Sequence, residues 1–257
     1  MPSQLLLAAV FLPLAGAIVT LAMGKAPHLA RWIALGTSLA TLVLALTITR
    51  GFLAAPAVSG PDANSATYAA VDQPWLADGA PVDIRLSLGL DGLGVWMFAL
   101  SAILMLTAIL VSWKAIDRSQ SLFFAMLLLL ESGCLGVFAA KDLILFYIFF
   151  EFTLIPLFFL IGIWGSEDRR YAASKFFIYT LAGSMLTFLG LLTIVLHHYF
   201  QSGSEQLVFS IPTLTAFMAE NPMSVGMQTW VFLALFAGFA IKVPLFPLHT
   251  WLSLIHI

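Results

Sequence analysis

The segment Phe236–Trp251, FAGFAIKVPLFPLHTW, decides how this chain folds. It begins as an apolar run typical of a membrane-crossing helix, but the run contains Lys242, and Pro244 and Pro247 follow within five residues. Proline removes a backbone donor and clashes with the preceding turn, so two prolines three residues apart are expected to open the helix. Inside a bilayer, the freed carbonyl groups are tolerated only beside protein or water. The segment therefore predicts a membrane helix that is discontinuous at Pro244 and Pro247, next to a buried ammonium group.

The composition of the whole chain agrees with a protein dissolved in lipid. Of the 257 residues, 61% are hydrophobic and 9% are charged, whereas soluble domains carry about 25% charged residues. A net charge of -2 without a basic run gives no sign of nucleic-acid binding. The single cysteine, Cys134, excludes a disulfide or a cysteine-ligated iron–sulfur cluster formed within this chain alone.

Seven stretches reach the roughly 20 apolar residues that a membrane-crossing helix needs. They are residues 4–23, 29–49, 90–112, 120–140, 143–164, 174–197 and 229–252. Because these runs are continuous and do not alternate, helices are favoured over a barrel. The sequence therefore predicts an all-α polytopic transmembrane bundle of about seven spans, with longer loops at roughly 50–87 and 198–228.

The basic residues predict the orientation of the bundle. Seven of them fall in the connections after spans 1, 3 and 5, and three fall on the opposite side; the seven are Lys25, Arg31, Lys114, Arg118, Arg169, Arg170 and Lys175. Cytoplasmic loops carry the excess of Lys and Arg, so we expect the N-terminus to lie outside. The first span lacks the basic start of a secretory signal and is interpreted as a retained span.

Three ionisable residues lie well inside spans: Glu131 in span 4, Glu151 in span 5 and Lys242 in span 7. A charge near the bilayer centre costs at least about 2.5–3.5 kcal/mol, so such residues usually have a function. Both carboxyl groups are ten residues from the turn at Lys141, which places them roughly 15 Å deep, and Lys242 is about 18 Å deep. The matched depths favour a proton relay.

Alternatives remain open for each of these features. The buried charges could form a structural ion pair that fixes helix packing, and Glu131 could only hydrogen-bond a neighbouring helix. The two prolines could make a simple kink, although broken helices also mark ion sites in transporters. His249, seven residues after Lys242, could pass on a proton because of its pKa, or it could be a hydrogen-bonded packing residue.

Three separate segments, occurring in order, resemble one known family. FFEFTLIP at 149–156, RRYAASKFFIYT at 169–180 and KVPLFPLHTWL at 242–252 are similar to the antiporter-like, proton-translocating subunits of respiratory complex I, of the chain M or subunit 4 type. The resemblance runs from about span 3 to Leu252 and implies two parts. Residues 1–86 would form two membrane spans and an outer loop, and residues 87–257 would form the proton-translocating domain.

The resemblance implies roles for individual residues. Glu151 and Lys242 correspond to the central proton-channel residues, Glu131 to the glutamate of span 4, and His249 to the histidine that relays protons toward the next half-channel. In this family, FMN, iron–sulfur clusters and quinone are bound by other subunits, so no cofactor is expected here. The expected surroundings are neighbouring antiporter-like subunits and the lipid of a bacterial inner membrane.

The resemblance is lost at the C-terminus, where the family continues with Pro-Asp-Ala-His and roughly seven more helices. Here the chain ends Ser253-Leu-Ile-His-Ile257, so we expect a truncated subunit that contains only the first half-channel.

The implied mechanism couples quinone reduction in another subunit to the distance between Glu151 and Lys242. A carboxylate beside the lysine favours its charged form, and separating the two would release the proton by way of water and His249. Two other functions stay open: a subunit of a multisubunit sodium/proton antiporter or membrane-bound hydrogenase, and a structural membrane scaffold.

Overall fold

The fold is described from a computed structural model that covers residues 2–24, 26–55, 67–76 and 80–252. Nine helices lie in these ranges: α1 Pro2–Ala22, α2 Pro27–Ala54, α3 Gly92–Val111, α4 Gln120–Ala139, α5 Leu143–Phe152, α6 Leu154–Trp164, α7 Arg169–Ser202, α8 Ile211–Glu220 and α9 Val225–Lys242. The same ranges contain four strands: β1 Tyr68–Pro74, β2 Val82–Asp83, β3 Arg85–Leu90 and β4 Leu207–Val208.

Seven helical segments are long and apolar enough to cross a membrane, with α5 and α6 together making the fifth. This confirms the predicted polytopic helix bundle.

The predicted loops hold more structure than expected. Strand β1 pairs with β3, and β2 pairs in parallel with β4, while α8 occupies the second loop. Helix α7 has 34 residues, so at 1.5 Å per residue it is about 50 Å long and exceeds a hydrocarbon layer of about 30 Å.

Contacts group the chain into two compact units, Met1–Asp72 with Ser87–Lys141, and Gln73–Leu86 with Asp142–Ile257. The first unit holds α1 to α4. In this unit α4 is the central helix. It packs against α1, α2 and α3, and 72% of the residues in its most apolar 18-residue stretch are buried. The functional division predicted at residue 86 stays a prediction. It differs from the structural grouping, in which residues 87–141 pack with the first two spans.

The second unit holds α5 to α9, and its closest helix pair is α7 with α9. Gly238 of α9 lies so near α7 that an added Cβ would come within 2.6 Å of the Gly183 carbonyl oxygen. Two apolar clusters each include one residue of α7: Leu154, Phe176 and Trp251 form one, and Val195, Phe209 and Leu214 form the other. The glycine contact allows the backbone of α9 to approach α7 closely just before the segment that the prolines interrupt.

Candidate proton-transfer site

Helix α5 is anchored at its first turn by Asp142. Oδ1 of this fully buried side chain accepts hydrogen bonds from the backbone N–H groups of Ile144, at 2.9 Å, and Leu145, at 3.1 Å. Oδ2 accepts from the N–H of Arg85 at 3.4 Å. Burial raises the pKa of Asp142, and nearby Asp83 adds to this, while the backbone hydrogen bonds oppose it. The cap fixes the start of the helix that carries Glu151 in its last turn.

The fifth span has a turn residue at Thr153, two residues after Glu151, and its backbone angles there, φ -64° and ψ -24°, stay close to helical values. Pro156 lies in the first turn of α6 and cannot donate to a carbonyl of α5. The Thr153 hydroxyl turns back and donates to the Phe150 carbonyl oxygen at 2.8 Å. The sequence predicted one continuous span from 143 to 164, and the structure has one membrane-length helix over Leu143–Trp164 with this local turn inside it. The Phe150 carbonyl accepts from the Thr153 hydroxyl and from a second donor.

Lys242 is that second donor. It is the last residue of α9, and its Nζ donates to the Phe150 carbonyl oxygen at 2.9 Å. The same ammonium group lies 3.2 Å from the centroid of the Phe150 ring, a cation–π arrangement. Phe150 directly precedes Glu151, so this contact holds Lys242 against the turn of α5 that carries Glu151. A proton exchange between Lys242 and Glu151 stays a prediction.

The helix carrying Lys242 ends where the two prolines predicted a discontinuity. The Leu245 N–H bonds the Ala240 carbonyl at 2.9 Å, and the Ile241 carbonyl accepts from the indole Nε1 of Trp251 at 2.8 Å. Trp251 in turn packs on the ring of Phe176 at 5.1 Å. The opened segment is thus held against the second unit by a hydrogen bond and an aromatic contact.

His249 lies in this opened segment, half-buried. Its ring is 5.5 Å from that of Phe246, and its Nδ1 is buried without a hydrogen-bond partner among the residues that the structure describes. An imidazole nitrogen in this condition can bind a proton or a water molecule. Its role as a relay stays a prediction.

Glu131 belongs to the first unit, and its contacts lie there. The side chain is fully buried, and its Oε1 accepts from the Ser38 hydroxyl of α2 at 3.1 Å. Its Oε2 has no partner among the described residues. The next residue, Ser132, donates to the Val10 carbonyl of α1 at 2.7 Å. Glu131 therefore lies where three helices are joined by polar contacts, and the structure gives it a hydroxyl rather than a lysine as its partner.

The site contains groups that the sequence did not indicate. On α7, the ring of Phe188 packs against Tyr147 of α5 at 4.9 Å, and the buried Ser184, one turn before Phe188, donates to the Leu181 carbonyl at 2.8 Å. A serine inside a membrane helix is common, and no local pattern marks this one. Asp142 could have been recognised, because an aspartate directly before an apolar run is a helix N-cap signal. Among residues 2–24, 26–55, 67–76 and 80–252, no cluster of His, Cys, Asp or Glu could hold a metal ion.

Comparisons with known proteins agree with this geometry. Residues 140–257 match the membrane family described as NADH:quinone oxidoreductase/Mrp antiporter. The chain is 35% identical to NADH-quinone oxidoreductase subunit M of Rhodobacter capsulatus over 96% of its own length and 47% of that protein. The subunit M of Escherichia coli K12 is 36% identical over 88% of this chain and 43% of the relative. The chain thus spans about half the length of the curated relatives it matches.

Solved structures give the same result. A chain in the structure of respiratory complex I from Thermus thermophilus with bound NADH aligns over 98% of this chain and 46% of its own length, with 31% identity and a TM-score of 0.75. A chain of the Mrp complex from Dietzia shares the fold, with a TM-score of 0.71 at 18% identity over 98% of this chain and 24% of that chain. From its motifs, its fold and these relatives, residues 140–257 belong to the membrane family of NADH:quinone oxidoreductase and Mrp antiporter subunits.

Proposed function

We propose that this chain provides the first half-channel of a proton-translocating subunit of a respiratory NADH:quinone oxidoreductase. The observation that carries the proposal is the position of the Lys242 ammonium group. It lies on the Phe150 carbonyl at 2.9 Å, one residue before Glu151, where α9 ends and the fifth span has its turn at Thr153. Interrupted helices supply polar backbone groups inside a membrane, and such places serve ions in transporters.

The proton moves between the two side chains in this proposal. When Lys242 is neutral and Glu151 is protonated, transfer gives an ammonium group and a carboxylate, and the two attract each other. The Phe150 carbonyl and ring stabilise the ammonium form in addition to Glu151. Lys242 therefore keeps Phe150 as a partner whether it is near Glu151 or separated from it. Separation from Glu151 would favour release of the proton, and the end of α9 would stay in place.

The other predicted groups extend this path. His249, with its buried and unpartnered Nδ1, would accept the proton and pass it toward the part of the subunit that lies beyond these residues. Glu131 would belong to the path if it exchanges protons. Pro244 and Pro247 would keep the segment after Lys242 open. Redox cofactors and quinone would be bound by other subunits, and quinone reduction there would drive the change in the distance between Glu151 and Lys242.

The surroundings are part of the proposal. The chain would lie in a bacterial inner membrane with its N-terminus outside, beside other antiporter-like subunits and lipid. Coupling within such an assembly would make it a subunit of a translocating enzyme that carries out no redox chemistry of its own. A role in a sodium/proton antiporter or hydrogenase complex is the second candidate, since the matching family description names the Mrp antiporter as well.

The test uses the full-length subunit in its assembled complex, in inverted membrane vesicles. Glu151→Gln and Lys242→Ala should each lower NADH-driven proton uptake per assembled complex by a factor of about 100 or more, as expected for loss of a proton-transfer group. Normal proton uptake and normal quinone reduction in both variants would remove these residues from the path. Proton uptake driven by a sodium gradient without NADH oxidation would favour the antiporter.

A scaffold would behave differently. Both substitutions would then lower the amount of assembled complex, measured by subunit content, while proton uptake per assembled complex stayed normal. Lys114→Arg, an exposed substitution outside the spans, is the control for expression and assembly.

A further inference from the structure

Pro244 changes which backbone groups bond at the end of α9. In an α-helix each N–H bonds the carbonyl four residues earlier, so residue 244 would normally donate to Ala240. Pro244 has no N–H, and the N–H of Leu245 bonds the Ala240 carbonyl at 2.9 Å in its place. Leu245 is the residue that would donate to Ile241 in a regular helix. The Ile241 carbonyl, directly before Lys242, is thereby left without its helical donor.

Trp251 supplies the missing donor from a side chain. Its indole Nε1 donates to the Ile241 carbonyl oxygen at 2.8 Å, and the residue is 7% exposed. An unsatisfied carbonyl inside a bilayer is costly, because no water is there to bond it. The indole, ten residues further along the chain, therefore stabilises this particular end of α9.

The ring of Trp251 also reaches the neighbourhood of the fifth span's turn. It packs on Phe176 of α7 with centroids 5.1 Å apart and planes inclined by 56°. Both residues form a buried cluster with Leu154, the first residue of α6 and three residues after Glu151. One side chain thus joins the backbone that ends at Lys242 to the cluster that follows Glu151.

Ile241 is held on its other side by α7. Gly183 has no side chain there, and an added Cβ would come within 2.9 Å of the Ile241 side chain. The side chain of Ile241 thus packs on α7 while its carbonyl is bonded by Trp251. Lys242 is the next residue, so the direction in which its side chain leaves α9 follows from these two contacts.

We propose that Trp251 is a positioning residue for the proton site. By bonding the Ile241 carbonyl, it selects the helix end in which Lys242 reaches Phe150. The inference rests on the proposed function of Lys242. Without the indole N–H, the N–H of Leu245 returns to the Ile241 carbonyl, and the last turn of α9 rewinds. Lys242 then turns away from the Phe150 carbonyl that it bonds at 2.9 Å. The proton itself does not pass through Trp251, which acts only on the position of the lysine.

The test uses the full-length subunit within the assembled oxidoreductase in inverted membrane vesicles. Trp251→Phe keeps a ring that can pack on Phe176 but lacks the N–H. It should lower NADH-driven proton uptake per assembled complex by about tenfold, the order expected when a buried acceptor loses its donor. Replacing the indole of Trp251 by benzothiophene, which keeps both rings but has sulfur in place of the N–H, should lower uptake equally. The matched control is Trp96→Phe on α3, where the tryptophan is 52% exposed.

A double-variant cycle tests the indole N–H in a way that packing alone does not affect. Pro244→Ala supplies an N–H that can bond the Ala240 carbonyl. The N–H of Leu245 is then free for Ile241, which no longer needs the indole. Trp251→Phe should therefore lower the unfolding midpoint of the subunit in detergent when Pro244 is present, and it should have little effect in the Pro244→Ala background. A purely packing role of Trp251 predicts equal losses in both backgrounds.

The outcomes separate this inference from the proposed function. If Lys242→Ala abolishes uptake while both replacements of the Trp251 indole leave it normal, the positioning role is overturned and the role of Lys242 remains. If Lys242→Ala takes up protons normally, the proposed function fails and the positioning role fails with it. Should Trp251→Phe fail to assemble, its combination with Pro244→Ala decides. Restored assembly supports the inference, and an equal loss in both backgrounds overturns it.

Discussion

Two buried glutamates at matched predicted depths have different environments. Glu131 lies in the middle of α4, an uninterrupted helix, and it receives one hydrogen bond, from the Ser38 hydroxyl. Glu151 lies in the last turn of α5, next to the turn at Thr153, and the Lys242 ammonium group contacts the preceding residue, Phe150. Both have a buried carboxyl oxygen without a partner among the described residues.

The difference is in the chemistry of the partner. A hydroxyl stabilises either form of a carboxyl group by one hydrogen bond, whereas a lysine can take the proton itself and then attract the carboxylate. The Phe150 carbonyl adds an acceptor that holds the ammonium group. Depth in the membrane therefore does not by itself separate the two glutamates. A lysine held at the adjacent residue is what distinguishes Glu151 from Glu131, and the proposed relay rests on it.

The comparison is tested most strongly by Lys242→Arg. A guanidinium group keeps the positive charge and can still donate to the Phe150 carbonyl, but it does not release its proton in proteins. If Glu151 needs a titratable partner, proton uptake by the assembled full-length complex should fall about 100-fold or more, with normal subunit content. Lys114→Arg on the protein surface is the control. Retained uptake in Lys242→Arg would mean that fixed charge is sufficient.

The sequence predicted the spans and the end of α9 well, because both depend on signals that lie close together in the chain. Continuous apolar runs predict helices, and Lys242 followed by two prolines predicts where α9 ends. The sequence did not indicate the local turn at Thr153, since a single proline at 156 inside a strongly apolar run is compatible with an intact span. Nor did it indicate that Lys242 donates to the Phe150 carbonyl, because that contact joins residues 92 positions apart in the chain.

The short strands and α8 were also missed, for a different reason. Strands β2 and β4 have two residues each and pair across more than a hundred positions of sequence, so no local alternation of apolar and polar residues can reveal them. Turn-forming residues at 50–87 correctly indicated a loop between two spans. They could not indicate that part of this loop pairs with a segment after α7.

A second test asks whether Glu131 is a relay residue or a packing residue. Glu131→Gln keeps the shape of the side chain and an oxygen that can accept from Ser38, so we expect proton uptake to fall no more than a few fold. Glu131→Ala removes that acceptor and leaves a cavity, which should destabilise the subunit by about 2–3 kcal/mol. Proton uptake in vesicles and the unfolding midpoint in denaturing detergent measure the two effects. A loss in Glu131→Gln as large as that in Glu151→Gln would place Glu131 in the relay.

The smallest expected effect concerns two helix-capping aspartates at the ends of spans, one in each unit. Asp91 precedes α3, accepts from the Gly94 N–H at 2.7 Å and pairs with Lys141 at 2.7 Å. Burial alone would raise the pKa of Asp91, but the Lys141 and backbone hydrogen bonds outweigh it and lower the pKa below its ordinary 3.8. The pKa of Asp142 is raised, because burial dominates there.

The two aspartates should therefore affect stability with opposite signs as the solution is acidified. The contribution of Asp91 is present above its unfolded pKa and is lost as the pH falls through the lower folded value, so the advantage over Asp91→Asn should shrink in acid. Because its side chain is 47% exposed, this advantage is about 0.2–1 kcal/mol. For Asp142 the folded state prefers the protonated form, so stability relative to Asp142→Asn should grow as the pH falls through the raised pKa toward the unfolded value. Detergent unfolding midpoints measured from neutral pH down to about pH 3 would detect both trends. Trends of the same sign would contradict the opposite pKa shifts of the two aspartates.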